Sequence, residues 1–365
     1  MDSSFDLDEL YYTAIDLLEE LIHTPSISRE ENDAADLIEQ FFVHNNITPH
    51  RHGNNVWAIA NGYDSTRPTL LLNSHIDTVK PVEGWTRHPF NAEVDEKLRL
   101  YGLGSNDAGA SLVSLIVSFL YLSQRPQPYN LVMLASCEEE VSGKNGIESV
   151  IPLLPHIDVA IVGEPTDMQP AIAEKGLMVL DGTIAGVSGH AARNEGINAI
   201  YNALPIIETL KSLTFERTSP TLGPVKISVT QIHAGTQHNV VPDCCSIVVD
   251  VRTTDAYSNS ETLELITKAV PQCKLVPRST RLNPSSISPN HPIVERMVLM
   301  GATPFGSPTL SDQALMPWQS VKLGPGSSSR SHTANEFIYF DEVRSAIETY
   351  IKLLDGLNIY SVAIL

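Results

Sequence analysis

Hydrophobic positions at the start of the chain recur with helical spacing. Leu7, Leu10, Tyr11, Ala14, Leu17, Leu18 and Leu21 fall on one face. A second helix is expected from about Ser28, with Glu31 three residues on forming a capping box. It carries Leu37, Ile38, Phe41 and Phe42 and stops at Asn45-Asn46. The period then changes. Residues 55–60, 129–135 and 157–163, and the stretch 70–78 that opens on Leu70–Leu72, carry short apolar runs bounded by turn residues, which read as buried strands. A turn around Gly84 leads to a further short strand at 98–102. Gly102, Gly104 and Gly109 frame a tight turn around Asn106-Asp107, and an amphipathic helix follows it.

After Glu174-Lys175-Gly176 the pattern becomes that of a half-exposed sheet. Residues 177–187 alternate, and the chain continues as a helix at 197–213, strands at 225–234 and 246–251, and a helix at 261–270. That strand–helix–strand–strand–helix unit is an α+β sandwich able to stand as its own domain. The Pro/Ser-rich stretch 281–292 reads as the linker back. A helix at 292–300, a strand at 319–323 and a helix at 341–354 complete the first domain. The expected organisation is therefore an α/β domain of residues 1–175 and 285–365, interrupted by an α+β domain of 176–284.

Composition narrows the class. The chain has 365 residues, 42% hydrophobic and 18% charged, an ordinary globular mix of a length suited to two domains. The formal charge of −19 leaves no basic face to neutralise phosphates, which argues against a nucleic-acid partner. Part of that charge fits carboxylates that a metal would neutralise. Cys137, Cys244, Cys245 and Cys273 form no C-x-x-C pair and read as reduced thiols of a cytoplasmic protein. The acidic N-terminus has no signal-peptide pattern, and no run is expected to reach the length of a membrane span.

The candidate chemistry sits at strand ends. His75 and Asp77 are two apart, so on an extended backbone they point to the same side. The imidazole supplies one metal ligand, and the carboxylate can hold its other ring nitrogen. Asp107 stands just ahead of a helix, either as a helix cap or as a carboxylate placed to bridge two cations. The strand at 129–135 runs into Glu138-Glu139-Glu140, and the one at 157–163 into Glu164. Three strands thus end in carboxylates or His, at the edge where α/β sheets collect their sites.

Seven motifs in order, SHIDTV, GSNDAGA, CEEEVSG, VGEPT, GVSGHAARNEGINA, QHNVVPD and GPGSSSRSH, cover nearly the whole chain. Together they resemble the dinuclear zinc deacylases and exopeptidases that include acetylornithine deacetylase, succinyl-diaminopimelate desuccinylase, aminoacylase and carboxypeptidase G. The resemblance implies a zinc-exopeptidase-like catalytic domain, a mixed sheet with helices on both faces, carrying an inserted dimerisation or lid domain. It implies two Zn²⁺ ions, with Co²⁺ or Mn²⁺ as possible substitutes. Asp107 would bridge them, His75 and Glu164 completing one shell, Glu140 and His332 the other. Asp77 would orient His75, and Glu139 would be the general base. His190 would stabilise the oxyanion in the other subunit of a homodimer, Arg252 would grip a substrate carboxylate, and Asn239 would assist. Glu138 departs from the Asp common at its place. The bland alternatives are a locally bonded strand-end His190 and an ion-paired Arg252.

The implied activity is removal of an acetyl or succinyl group from an ornithine- or citrulline-like amino acid in arginine biosynthesis. Succinyl-diaminopimelate desuccinylase, dipeptidase or aminoacylase activity stays open, because SSSRSH departs from the desuccinylase pattern while GPG with SH and NEF is nearer the acetylornithine deacetylases. A non-catalytic binding protein on the same fold is the third reading. It is disfavoured because the full ligand set and the base are present.

Overall fold

The computed structural model describes residues 6–360. The chain divides into two compact units, one of Met1–Ile172, Ile287–Phe305 and Ser311–Leu365, the other of Ala173–Ser286 and Gly306–Leu310.

The first unit is built on a mixed sheet. Its strands lie in the order Pro49–His52, Asn55–Ile59, Asn130–Ser136, Thr69–His75, Val159–Val162 and Gln319–Lys322. The last four run parallel, and Asn55–Ile59 is antiparallel to both of its neighbours. Thr69–His75 and Asn130–Ser136 are buried along their whole length, which is why they read as continuous apolar runs rather than alternating ones. Alternate residues serve the two faces. Leu70 and Leu72 join the core under the helices Leu7–His23, Ala110–Ser123 and Phe340–Leu354. Leu71 joins Val132, Leu134, Ile147 and Val150 on the other face, beneath the short helix Ile147–Val150.

The parallel register decides where the chemistry falls. His75 lies level with Ser136, and Asn73 with Val162. The segments after those strands, 76–77, 137–140 and 163–164, therefore emerge at one edge of the sheet. Residues 323–332 emerge from the same edge after Gln319–Lys322.

Three sequence expectations are corrected here. The stretch Ser105–Ser123 is long and apolar enough to cross a membrane by length and composition, which the sequence reading did not anticipate. Yet 83% of its most apolar 18-residue window is buried inside the fold, and its apolar surface serves as core for the sheet on one side and two helices on the other. The second helix runs Asn32–His44, with no side-chain cap at its start. Ser28 and Glu31 are drawn into contacts with distant segments instead of capping it.

The third correction concerns the second unit. Its sheet has four strands, in the order Lys226–Ala234, Cys244–Thr253, Gly176–Ala185 and Cys273–Pro277. The last of these was not expected. Its five residues alternate buried and exposed over too short a run to stand out. One face packs Met178, Leu180, Ile184, Ile247, Val249 and Val251 against the helices Ala199–Ser212 and Asn259–Ala269. The second of these helices carries a true capping box, Ser258 with Glu261. Within the expected linker, Ser285–Ser286 forms a short strand paired with Ala173 and Glu174.

Candidate metal centre

His75 ends its strand and is 2% exposed. Its Nδ1 lies 2.8 Å from the backbone oxygen of Asp77. A carbonyl only accepts, so Nδ1 carries a proton, and in the neutral ring Nε2 is the atom with the lone pair. That Nε2 is buried and has no hydrogen-bond partner. It faces Asp107 Oδ1 at 3.4 Å and Glu164 Oε1 at 3.7 Å. These distances are too long for strong hydrogen bonds and leave room for an ion among a nitrogen and two carboxylate oxygens.

Asp107 lies in the turn Ser105–Gly109, outside helical geometry, and caps nothing: the following helix starts at Ala110 behind Gly109. The helix-cap reading is thereby removed. Its Oδ1 faces His75, while its Oδ2 lies 3.5 Å from Nε2 of His332. His332 in turn lies 3.0 Å from Glu140 Oε2 and 3.1 Å from Glu140 Oε1. One carboxylate thus stands between two imidazoles, each with a further carboxylate beside it. His332 differs from His75 in exposure, its side chain being 52% accessible against 1%.

Asp77 plays a different part from the one the sequence suggested. Its carboxylate stands 3.7 Å from His75 Nδ1, while its backbone carbonyl holds the ring. The carboxylate accepts the backbone N–H of Glu139 at 3.0 Å and of Glu140 at 3.1 Å, and the hydroxyl of Ser28 at 2.7 Å. It aims the acidic loop. Glu31, fully buried, accepts the N–H of Glu138 at 3.2 Å and the amide of Asn54 at 3.0 Å. Glu138 turns back to accept from the amide of Asn145 at 2.8 Å, which closes the same loop.

Ligand-type atoms of His75, Glu139 and Glu164, and of His75, Asp107 and Glu140, lie within 4.8 Å of one another. The electrostatics of so many acids are adverse. Burial and the charge of Glu164 push Glu139 well above the usual carboxylate range. Burial pushes Glu164 up to about 8. The hydrogen bond that His332 donates to Glu140 raises His332 to about 9. On His75, burial works against a charge, but Asp107, Glu139 and Glu164 outweigh it and raise its pKa. Protons are being held where cations would relieve the same repulsion. The orphaned Nε2 and the mixed nitrogen and carboxylate donors suit divalent metal ions.

Two acids here escaped the sequence reading. Asp312 is buried and accepts the Ser136 hydroxyl at 2.6 Å, and burial pushes it up to about 6. Its charge bears on Glu139. Glu336, also buried, accepts three backbone N–H groups around Asp107. Asp312 opens the short 3-10 turn Asp312–Leu315 with nothing in its neighbours to mark it, and Glu336 belongs to the NEF that the sequence reading used only as a pointer to substrate class.

The other expected residues lie in the second unit. His190 belongs to the two-residue strand Gly189–His190 and pairs with Val240. It is exposed, and its Nδ1 accepts the N–H of Ala192 at 3.1 Å. The carbonyl of Asn239 accepts from Ala191 at 3.0 Å, so the His190 and Asn239 loops lie side by side. The guanidinium of Arg252 makes a two-pronged pair with Asp250, at 2.9 and 3.1 Å. A substrate carboxylate would have to share that fork.

Residues 172–273 match the family model described as a peptidase dimerisation domain. The chain is similar to a protein named Probable carboxypeptidase from Paracoccidioides lutzii, 27% identical over 91% of this chain and 82% of that one. It is similar to a succinyl-diaminopimelate desuccinylase of Delftia acidovorans, 27% identical over 65% of this chain and 67% of that one. An acetylornithine deacetylase of Shigella sonnei is 29% identical over 93% of this chain and 96% of that one. Among solved structures, the aminopeptidase PepT of Bacillus cereus superposes with a TM-score of 0.76 at 15% identity, covering 94% of this chain and 98% of that one. A dinuclear metal binding peptidase of the M20 family from Bacillus subtilis superposes with a TM-score of 0.71 at 17% identity, covering 95% and 98%. At such identities the structures speak for the fold.

Proposed function

We propose that this chain, which is similar to M20 metal-dependent deacylases and peptidases, removes an acetyl or succinyl group from an ornithine- or citrulline-like amino acid. The observation that carries the hydrolytic reading is Asp107 set between His75 and His332, one oxygen toward each. His75, Asp107 and Glu164 would hold one Zn²⁺, and Asp107, Glu140 and His332 the other. Such an ion pair polarises a carbonyl and makes water a stronger nucleophile near neutral pH.

The chain's own residues do the rest. Glu139, aimed by the Asp77 carboxylate through its backbone N–H, takes the proton of the attacking water and passes it to the leaving amine. The backbone carbonyl of Asp77 holds the Nδ1 proton of His75 and so turns Nε2 toward the site. His190 is assigned the oxyanion, acting in the partner subunit, while Arg252 and Asn239 are assigned the substrate carboxylate. The support for those three roles is the motif resemblance.

Desuccinylase or peptidase activity is the second reading, favoured by relatives carrying those names. One substrate panel separates the two. Acetylornithine, succinylornithine, acetylcitrulline, succinylcitrulline, succinyl-diaminopimelate and simple dipeptides are compared by kcat/KM on the Zn²⁺-loaded protein. A preference for the ornithine or citrulline amides supports the first reading; a preference for succinyl-diaminopimelate or dipeptides replaces it.

The same proposal includes a homodimer formed through the inserted unit, in the cytoplasm. The matched dimerisation domain supports the first point, as do the exposed Tyr201 and Leu204 on the helix Ala199–Ser212. Four free cysteines support the second. Sedimentation as a monomer would remove the dimer and with it the role of His190 in the partner.

A further inference from the structure

Glu336 carries none of the seven motifs and is 2% exposed. Its carboxylate reaches back to the turn that carries Asp107. Oε2 accepts the N–H of Gly104 at 3.1 Å, and Oε1 accepts those of Asn106 and Asp107, each at 2.8 Å. Three amides converging on one planar group permit a single arrangement of the turn. The backbone of Glu336 adds a fourth tie, its carbonyl accepting the N–H of Gly102 at 3.1 Å.

The same turn is held from its other side. Asn106 Nδ2 donates to the carbonyl of Ser327 at 3.1 Å, and its Oδ1 accepts the N–H of Ser327 at 3.1 Å. Gly326, at φ +82°, permits this approach, because a Cβ there would run into Asn106 Oδ1. Ser327 and Glu336 flank His332 in the chain. The turn bearing Asp107 is therefore fastened to both ends of the loop bearing His332.

Stability alone does not account for a carboxylate at this place. A buried anion behind the anionic Asp107 is costly unless cations stand in front of it. An amide would avoid that repulsion while still accepting from Asn106 and Asp107, at the loss of the Gly104 bond alone.

We propose that Glu336 is the positioning residue for the shared carboxylate. It fixes where Asp107 points between His75 and His332 and, with Asn106, sets the spacing of the two cation positions. The proposal rests on the dinuclear reading given above.

The test is titration of the metal-free full-length protein with Zn²⁺, alongside the visible spectrum of the Co²⁺-loaded form. Glu336→Gln keeps one acceptor oxygen and turns an N–H donor toward Gly104. It is expected to weaken both cations by about 10–100-fold, since Asp107 serves both, and to shift the Co²⁺ bands. Glu336→Asp keeps the charge but is one methylene short, and is expected to weaken both by about 10-fold. It serves as the measurement if the glutamine variant does not fold. Tyr350→Phe removes a buried hydroxyl bond to the Leu323 carbonyl, 2.6 Å long, and controls for lost stability; its Zn²⁺ affinity and Co²⁺ spectrum should match wild type. Wild-type affinity and spectrum in a folded Glu336 variant would overturn the proposal and leave the dinuclear reading intact. Failure of the wild-type protein to take up two Zn²⁺ would overturn both.

Discussion

The ring of His75 is held by the backbone of Asp77, not by its carboxylate: Nδ1 lies 2.8 Å from the carbonyl oxygen and 3.7 Å from Oδ1. The carboxylate is engaged by the N–H groups of Glu139 and Glu140. Asp77→Asn should therefore leave the His75 tautomer intact. It turns one acceptor into a donor facing those amides, so the acidic loop loosens. The expected result is Zn²⁺ bound at the His75 position with near wild-type affinity and kcat reduced by about 10–100-fold. Zn²⁺ titration beside steady-state kinetics checks this. Loss of the His75-side ion would return the orienting role to the carboxylate.

Glu139→Gln tests the base. The change keeps shape and backbone contacts but removes the proton acceptor. Two bound Zn²⁺ with turnover lower by about 10²–10⁴-fold is expected. Turnover near wild type would exclude Glu139 as the base. Loss of one ion would make it a ligand, a role its closeness to His75 and Glu164 allows.

Removing metal should make stability depend on pH in a defined direction. In the metal-free fold Glu164 and Glu336 are each pushed by burial from 4.5 up to about 8. Between those values the folded chain binds more protons than the unfolded one, so its stability falls as pH rises. Chelator-treated protein should melt at a lower temperature near pH 8 than near pH 5. Zn²⁺ loading should raise the melting temperature and flatten this slope, because the ion takes the place of the proton on Glu164. A metal-free slope of opposite sign would contradict the burial argument.

Gly326→Ala should disturb the site without touching a ligand. The residue sits at φ +82°, and the added methyl meets Asn106 Oδ1. The strain and the displaced amide together are expected to cost about 1–3 kcal/mol. Weaker Zn²⁺ binding should accompany that loss. Denaturant unfolding and metal titration measure the two effects separately.

In the second unit, Ser258 caps the helix Asn259–Ala269 through a capping box with Glu261. Ser258→Ala should destabilise that unit by about 1 kcal/mol, read from its denaturant midpoint, with Zn²⁺ affinity unchanged.

What the linear chain determined by itself was periodicity and residue type. Buried parallel strands announce themselves as unbroken apolar runs, so the Leu70–Leu72 run and its polar sequel at His75 could be read without coordinates. The recurrence of acids after such runs pointed to one sheet edge, and the parallel register brings those ends together. Alternation gave away much of the inserted unit but not Cys273–Pro277, whose few residues carry too short a signal.

Tertiary structure alone decided what holds the acids in place. Ser28 and Glu31 matched a helix-capping pattern, yet one reaches Asp77 and the other Glu138. Glu336 grips the Asp107 turn from 229 residues away in sequence, and Asp312 meets Ser136 across 176. In these contacts the partner is a backbone N–H or a common hydroxyl, groups that nearly every residue or many residues can offer. A side chain that bonds to such a group leaves no matching residue type at the other end of the contact, so nothing in the order of amino acids reports it until the chain has folded.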